Sequence, residues 1–380
     1  MTSADRWLLP DGVEEVLPGP AAKAERLRRQ LLDLYASWGY QLVIPPLLEF
    51  TESLLIGLGS DIDLLTFRVT DQLSGRSMGI RADITPQVTR IDAHSLPREG
   101  ISRFCYAGRV LHTRPTELLA SRSPEMVGAE LYGDSGLQAD LEVISLMLET
   151  LRTAEVERIT LDLGHVGIYR KLLESAPLEE QLQATLFEAL QRKSLPDLEQ
   201  VLSAVPDVPF RQRILQLAGA HGDAAVLDSV DYADSAIRQL RAVSTAIEQR
   251  YPEVDIYYDL SELRGYHYHT GLVFAAYVPG FGRALANGGR YDDVGKVFGR
   301  ARPATGFNTD LGALLELLPD QEPPPGAIRA PSEGDADLWR AIARLRESGE
   351  VVIASWSGEA DPRCDRELRC RDGEWRIEPL

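Results

Sequence analysis

The sequence predicts an α+β chain: a sheet flanked by helices, a helical insertion, and a small C-terminal α/β unit. Three observations carry this. Runs of β-branched and aromatic residues alternate with stretches of helical periodicity up to about residue 165 and again from 255 to 318. Between them, from about 172 to 250, leucine, alanine and glutamine recur at three- and four-residue spacing with Pro and Gly interruptions and no convincing strand. Residues 321–333, rich in proline, glycine and acid, then read as a linker between a core of residues 1–320 and a unit of residues 334–380.

In order along the chain, residues 20–38 are helical by composition, with Leu27, Leu31, Leu34 and Tyr35 on one face, and Gly39 stops the helix. Residues 40–44 form a strand that Pro45-Pro46 closes. Strands at 65–70 and 77–81 flank the polar turn 71–76, so a hairpin is expected. Thr85 caps a helix over 86–94 with Pro86 at its start. Residues 103–112 and 126–132 are strands around a polar, proline-bounded loop at 113–125. A helix at 137–153 and a strand at 159–163 precede the insertion. Strands follow at 255–259, 272–277 and 285–287, with a helix from about 309 to 318. The tail gives a helix at 337–348, a strand at 351–355 and a hairpin around Asp372-Gly373.

Composition excludes several function classes. With 380 residues, 44% apolar and 26% charged, the chain has enough apolar surface for one large core and a second small one. It has no run of about 18 apolar residues, and MTSADRWLLPDG lacks the order of a signal peptide, so a cytoplasmic protein without a membrane partner is expected. Cys105, Cys364 and Cys370, odd in number and irregular in spacing, argue against a disulfide framework or a zinc site. A net charge of −18 repels phosphate and argues against RNA as a partner. From Pro331 onward there are twelve Asp or Glu against eight Arg and no Lys.

The richest segment chemically is LRGYHYHTGLVF, residues 263–274, in which a guanidinium, two imidazoles and two phenols precede an apolar run. It reads as a loop entering a buried strand, and a wet strand edge is the plain alternative to a ligand site. His267 and His269 share a strand face, but no HxxE, CxxC or third nearby ligand accompanies them, so no metal is expected. Gly288-Gly289-Arg290-Tyr291 lacks the lysine and spacing of a phosphate loop, and no cofactor is expected.

Taken in order, these elements resemble the catalytic core of class II aminoacyl-tRNA synthetases, specifically the histidyl branch, over about residues 9–318. LPDGVEEVLP with the following helix and WGYQLVIPPLLEF is similar to the family's first motif, with Pro45 or Pro46 as its proline. GIRADITPQVTR resembles the histidyl segment written RPExT. RFCYAGRVLHTRP with EMVGAELYG lies where the second motif belongs, and PATGFNTDLGALLEL occupies the third. LRGYHYHTGLVF and ALANGGRYDDV resemble the histidine-specific signatures. The resemblance implies a mainly antiparallel sheet and a homodimer formed through the first motif.

It also implies which chemistry is kept. Activating an amino acid with ATP needs arginines to stabilise charge developing on the phosphates. Anchored on Arg114-Pro115, Leu111 stands at the second-motif arginine and Thr113 at its glutamate, while Ala313 stands at the third-motif arginine. A slip of one residue brings Arg109 or Arg114 to the second motif, but no arginine lies near Ala313. On the amino-acid side, the resemblance assigns Asp83 to an α-ammonium and keeps Thr85 as an acceptor. It gives Glu130 an imidazole N–H and Arg264 a carboxylate, with Tyr268, His269 and Tyr291 lining the ring pocket. Met126 replaces a glutamine there. Asp83 and Glu130 also fit a carboxylate pair that satisfies strand-edge or helix N-terminal donors, and residues 288–291 a tight turn.

The tail is shorter than a histidyl anticodon-binding domain. Loss of the ATP arginines and of that domain together resembles the ATP phosphoribosyltransferase regulatory subunits, a non-catalytic branch. The resemblance implies a short-form catalytic phosphoribosyltransferase as partner, self-association at the core of the hetero-oligomer, a part in the first step of histidine biosynthesis, and histidine as feedback ligand, without tRNA. The other readings are a divergent histidyl-tRNA synthetase, an amino-acid-activating enzyme independent of tRNA, and a structural partner that binds no small molecule.

Overall fold

The structure, a computed structural model, describes residues 7–55, 60–115, 120–176, 178–266, 268–319, 326–356 and 361–380. The chain forms two compact units, Met1–Leu318 and Pro319–Leu380. Helix α1 (Pro18–Ser37) opens the first with a proline in its first turn, and buries Leu27, Leu31 and Tyr35 along one stripe. Burying each such leucine stabilises the fold by about 1.5–3 kcal/mol. There follow β1 (Gln41–Leu42), β2 (Leu48–Phe50), α2 (Thr51–Leu54), α3 (Ser60–Leu65), β3 (Phe67–Thr70), β4 (Ser77–Ile80) and α4 (Thr85–Arg90). A π-helical turn, Ile91–Ser95, extends α4 and leads to β5 (Ser102–Arg109), β6 (Glu125–Tyr132), α5 (Leu137–Thr153) and β7 (Thr160–His165).

The insertion supplies α6 (Val166–Glu174), α7 (Glu180–Gln191), α8 (Leu195–Leu202), α9 (Val208–Ala218), β8 (His221–Gly222) and α10 (Asp234–Arg250). Then come β9 (Asp255–Asp259), β10 (Leu272–Tyr277), β11 (Ala286–Arg290), β12 (Ala304–Asp310) and α11 (Leu311–Leu317). Nine strands form one sheet in the order β1-β5-β6-β12-β11-β10-β7-β9-β8, and β2-β4-β3 form a small second one. The large sheet is mixed but mainly antiparallel, with parallel pairs only at β1/β5 and β7/β9 among the described residues. That is the expected fold class.

Strand alternation divides the large sheet into two chemically different faces. On β6, Val127, Ala129 and Leu131 enter a core shared with Leu27, Leu31 and Tyr35 of α1 and with Ile144, Met147 and Leu151 of α5. Tyr132 of the same strand joins a separate cluster with Phe104, Tyr106 and Tyr291. Helix α5 is buried around most of its circumference, as its apolar run requires.

The second unit contains β13 (Ala327–Pro331), α12 (Ala336–Glu347), β14 (Val352–Ser355), β15 (Cys364–Arg371) and β16 (Glu374–Pro379), with strand order β14-β13-β15-β16. Asp335 caps α12 by accepting from the amides of Asp337 and Leu338. Ile328, Ala330, Leu338, Ile342, Val352 and Leu368 form its core. The hairpin turns at Asp372 and Gly373, both with positive φ, as a two-residue turn demands.

Several expectations need correction. Strand β1 is only two residues long, because the chain leaves β5 before Pro45-Pro46 can remove donors from the ladder. Thr85 is not a cap: it lies inside α4, and its amide donates to the Asp83 carboxylate at 3.1 Å. The insertion contains a short strand after all, since β8 pairs with β9. The expected 103–112 strand stops at Arg109. Strand β12 lies where a helix was expected to begin at 309, and Asp310 instead caps α11 through the Gly312 amide. Residues 327–331, within the expected linker, are β13, while 320–325 lie outside the described residues. Residues 116–119 of the expected 113–125 loop lie outside them too.

A buried ion pair braces the sheet. Arg302 Nη1 donates to both oxygens of Asp92 at 2.7 and 2.9 Å and to Ser102 Oγ at 3.3 Å, and its Nη2 donates to the Gly100 carbonyl. This joins the π-helical turn to the start of β5. Asp92→Ala leaves Arg302 buried without its carboxylate, and unfolding in urea is expected to show the first unit destabilised by about 3–5 kcal/mol.

Candidate functional site

A cavity of about 300 Å³ lies on the polar face of the large sheet. Asp83, Thr85, Glu130, Arg264, Tyr268, His269 and Tyr291 all stand on its wall. Distant parts of the chain supply them: the start of α4 with the approach to it, the middle of β6, the loop before β10, and the residue after β11.

Glu130 is the most constrained group in the cavity. It is 1% exposed, and its ionised form accepts from three hydroxyls: Thr85 Oγ1 at 2.9 Å, Tyr106 at 3.1 Å, and Tyr291 on the other oxygen. A Cβ on the facing Gly306 of β12 would lie 1.5 Å from Glu130 Oε2, so no side chain fits there. Burial pushes the Glu130 carboxyl up to about 8, and the hydroxyl donors offset this only in part. Burial likewise raises the Asp83 carboxyl.

The loop before β10 supplies the aromatic wall. Tyr268 packs 4.8 Å from Tyr291 with the rings tilted by 31° and meets His269 edge-on at 5.3 Å. Its hydroxyl is buried without a hydrogen-bond partner among the described residues. His269 Nδ1 lies 3.1 Å from the Arg264 carbonyl, so this nitrogen carries the proton and donates. Burial drops the ring to about 4, leaving it neutral. Gly265 has φ +63, and a Cβ there would come within 2.7 Å of His269 Nδ1, so conformation and space both call for glycine. The Arg264 guanidinium bonds the Tyr277 hydroxyl at 3.1 Å and faces Glu262 at 3.7 Å.

Leu111, Thr113 and Ala313 lie outside the cavity wall. The Leu111 amide donates to Arg81 O, Thr113 is tied to the carbonyls of Leu64 and Leu65, and Ala313 is buried in the core on α11. Arg109, Arg114 and Met126 are absent from the wall as well. Sequence reasoning missed Phe187 and Gln191 of α7, which place the insertion on the cavity, and Asn287 and Asn308 of the sheet. Alternation along β11 and β12 could have flagged the asparagines; nothing in the sequence linked α7 to the site.

Beside the cavity, Asp162, Asp259 and Glu262 bring ligand oxygens within 4.8 Å of one another, and the Lys193 ammonium pairs with Asp259. His267, weighed above as a metal ligand, lies outside the described residues.

Comparison with known proteins bears on this arrangement. Residues 12–314 match the family described as histidyl-tRNA synthetase, and residues 325–378 match the ATP phosphoribosyltransferase subunit HisZ C-terminal domain. The ATP phosphoribosyltransferase regulatory subunits of Ectopseudomonas mendocina and Thioalkalivibrio sulfidiphilus are each 53% identical, with all of both chains covered. A Bacillus halodurans structure described as an ATP phosphoribosyltransferase regulatory subunit/histidyl-tRNA synthetase superposes with TM-score 0.80 at 26% identity, covering 94% of each chain. The Thermotoga maritima HisG:HisZ complex includes a chain that matches with TM-score 0.62 at 20% identity, over 76% of this chain and 97% of that one, a likeness of fold.

The raised Glu130 carboxyl has a consequence for stability. The folded state holds this proton more tightly than the unfolded chain, so the contribution is full below pH ~4.5 and is lost as pH rises to about 8. Glu130→Gln removes the titration. Its stability relative to wild type is therefore expected to rise across that window and level off above it, as chemical denaturation at a series of pH values will show.

Proposed function

The chain belongs to the ATP phosphoribosyltransferase regulatory subunits, and on that premise we propose that its cavity senses histidine on behalf of a catalytic partner. The chain is a regulatory rather than a catalytic subunit of that enzyme complex. The observation that supports the sensor reading best is the meeting of seven residues from four parts of the chain on one wall, with Leu111, Thr113 and Ala313 away from it. A histidine there gives its ring N–H to Glu130 and stacks its imidazole beside Tyr268 and Tyr291. Asp83 takes the α-ammonium, and Arg264 turns from Tyr277 to the carboxylate. The buried Tyr268 hydroxyl gains a partner.

The partner in this reading is a short-form catalytic subunit that transfers phosphoribose from phosphoribosyl pyrophosphate to ATP, opening histidine biosynthesis. Histidine inhibits to the extent that it binds the inhibited assembly more tightly than the active one. The location is cytoplasmic, and no tRNA is bound. Among the described residues no helix is long and apolar enough to cross a membrane. A homodimer forms through β1, the edge of the large sheet, and the segment that leads from it into β2, where Leu42, Ile44, Leu47 and Leu48 are exposed, Ile44 by 80%.

Phosphoribosyl transfer by the catalytic subunit, with and without this chain, tests the reading across a histidine titration. Activity is expected to rise on mixing and to fall with histidine; a rate indifferent to the chain removes the reading. Glu130→Ala and Arg264→Ala are expected to raise the histidine concentration for half-inhibition by about tenfold or more while sparing assembly. Unchanged inhibition in both takes the cavity out of the mechanism. Ile44→Asp places a charge in the proposed self-contact, and sedimentation velocity is expected to show a monomer where wild type is a dimer.

A further inference from the structure

Two cavity residues, Tyr268 and His269, sit in the loop before β10, where their amides donate to the Gly265 carbonyl at 2.8 and 2.7 Å. The Thr270 amide donates to Arg290 O of β11 at 2.7 Å, so turns and one tie to the sheet shape this segment. Arg170, on the outward course of α6, reaches this loop with both terminal nitrogens. Nη2 donates to the Tyr266 carbonyl at 3.0 Å and the His269 carbonyl at 2.6 Å, and Nη1 donates to Thr270 O at 3.3 Å. Its guanidinium carbon also lies 5.0 Å from the centre of the Tyr266 ring. That ring in turn packs on Tyr169 of α6 at 5.4 Å and on Phe187 of α7 at 5.2 Å. Phe187 itself lines the cavity. One cation from the insertion thus ties three carbonyls of this loop, those of Tyr266, His269 and Thr270, to α6 without standing on the cavity wall.

We propose that Arg170 is the positioning residue of this cavity: it clamps the loop in its ligand-ready form and ties cavity occupancy to the packing of the helical insertion. This rests on the reading of the cavity as a histidine site. A planar guanidinium suits the task because it presents several donors in a fixed fork, whereas a lysine ammonium offers a point charge on a flexible stem. The linkage is reciprocal, so a ligand that orders the loop also steadies α6 and α7 against it.

Calorimetric titration of L-histidine into the full chain provides the test, with amide exchange of the loop peptide 263–271 as the second readout. Wild type is expected to bind. Arg170→Ala is expected to bind about tenfold or more weakly, with faster loop exchange in the absence of histidine. Arg170→Lys is expected to remain weakened. Millimolar methylguanidinium is expected to recover affinity in Arg170→Ala and leave wild type unchanged, a response that general loss of packing does not give. If wild type binds and both variants match its Kd, the clamp is overturned while the sensor reading stands. If wild type shows no binding, the sensor reading falls, and loop exchange decides the clamp: equal rates in wild type and variant overturn it. Should circular dichroism show Arg170→Ala unfolded, Arg170→Lys carries the same comparisons.

Discussion

An acidic group buried in the middle of a nine-stranded sheet is costly to ionise unless its neighbours accommodate the charge. Glu130 is such a group, and much of the first unit can be read as the answer to it. Three hydroxyls from α4, β5 and the segment after β11 converge on its oxygens. β12 gives up a side chain at Gly306 to make room. Around this centre the polar face carries tyrosines in place of aliphatic residues, with Tyr106, Tyr132 and Tyr291 each buried. The opposite face, free of that demand, packs leucine and valine against α1 and α5.

This division separates stability from recognition. The apolar face and the buried Arg302–Asp92 pair hold the sheet together, while the polar face spends hydrogen bonds on keeping one acidic group in place. A second buried pair, Arg290 with Asp140, joins the end of β11 to the first turn of α5 and so holds Tyr291, the next residue, in register with Glu130. Asp140 also accepts from Gln239 of α10, which bonds His165 at the end of β7. The insertion is therefore stitched to the core by polar contacts on one side and by the aromatic packing of Tyr266 on the other.

Much of this was legible in the sequence because it depends on local chemistry. The α5 boundaries followed from unbroken helical periodicity between Gly136 and Ala154, and the β3/β4 hairpin from a polar turn between two apolar runs. The seven cavity residues were reached through resemblance rather than periodicity, and the structure gathers them on one wall. What stayed hidden depends on tertiary context. Strand β12 reads ATGFNTD, and its glycine and asparagine look like turn residues until Glu130 is placed opposite. Phe187 reads as one more apolar residue on an amphipathic helix, and only the folded chain puts it beside Tyr266 and the cavity. Strand β13 was obscured by the proline and glycine on either side of it.

The place of β12 in the sheet bears on how the chain is made. Strand β12 is the last of the nine to leave the ribosome, yet it lies in the middle, hydrogen-bonded to β6 on one side and β11 on the other. Without it the ladder divides into β1-β5-β6 and β11-β10-β7-β9-β8, and the β6 edge that holds Glu130 has no partner. Closing the gap joins strands far apart in the chain, which is a slow kind of pairing. The other unpaired edge, β11, reads ANGGR, and an edge of asparagine, glycine and arginine with little apolar surface resists pairing with the edges of neighbouring nascent chains.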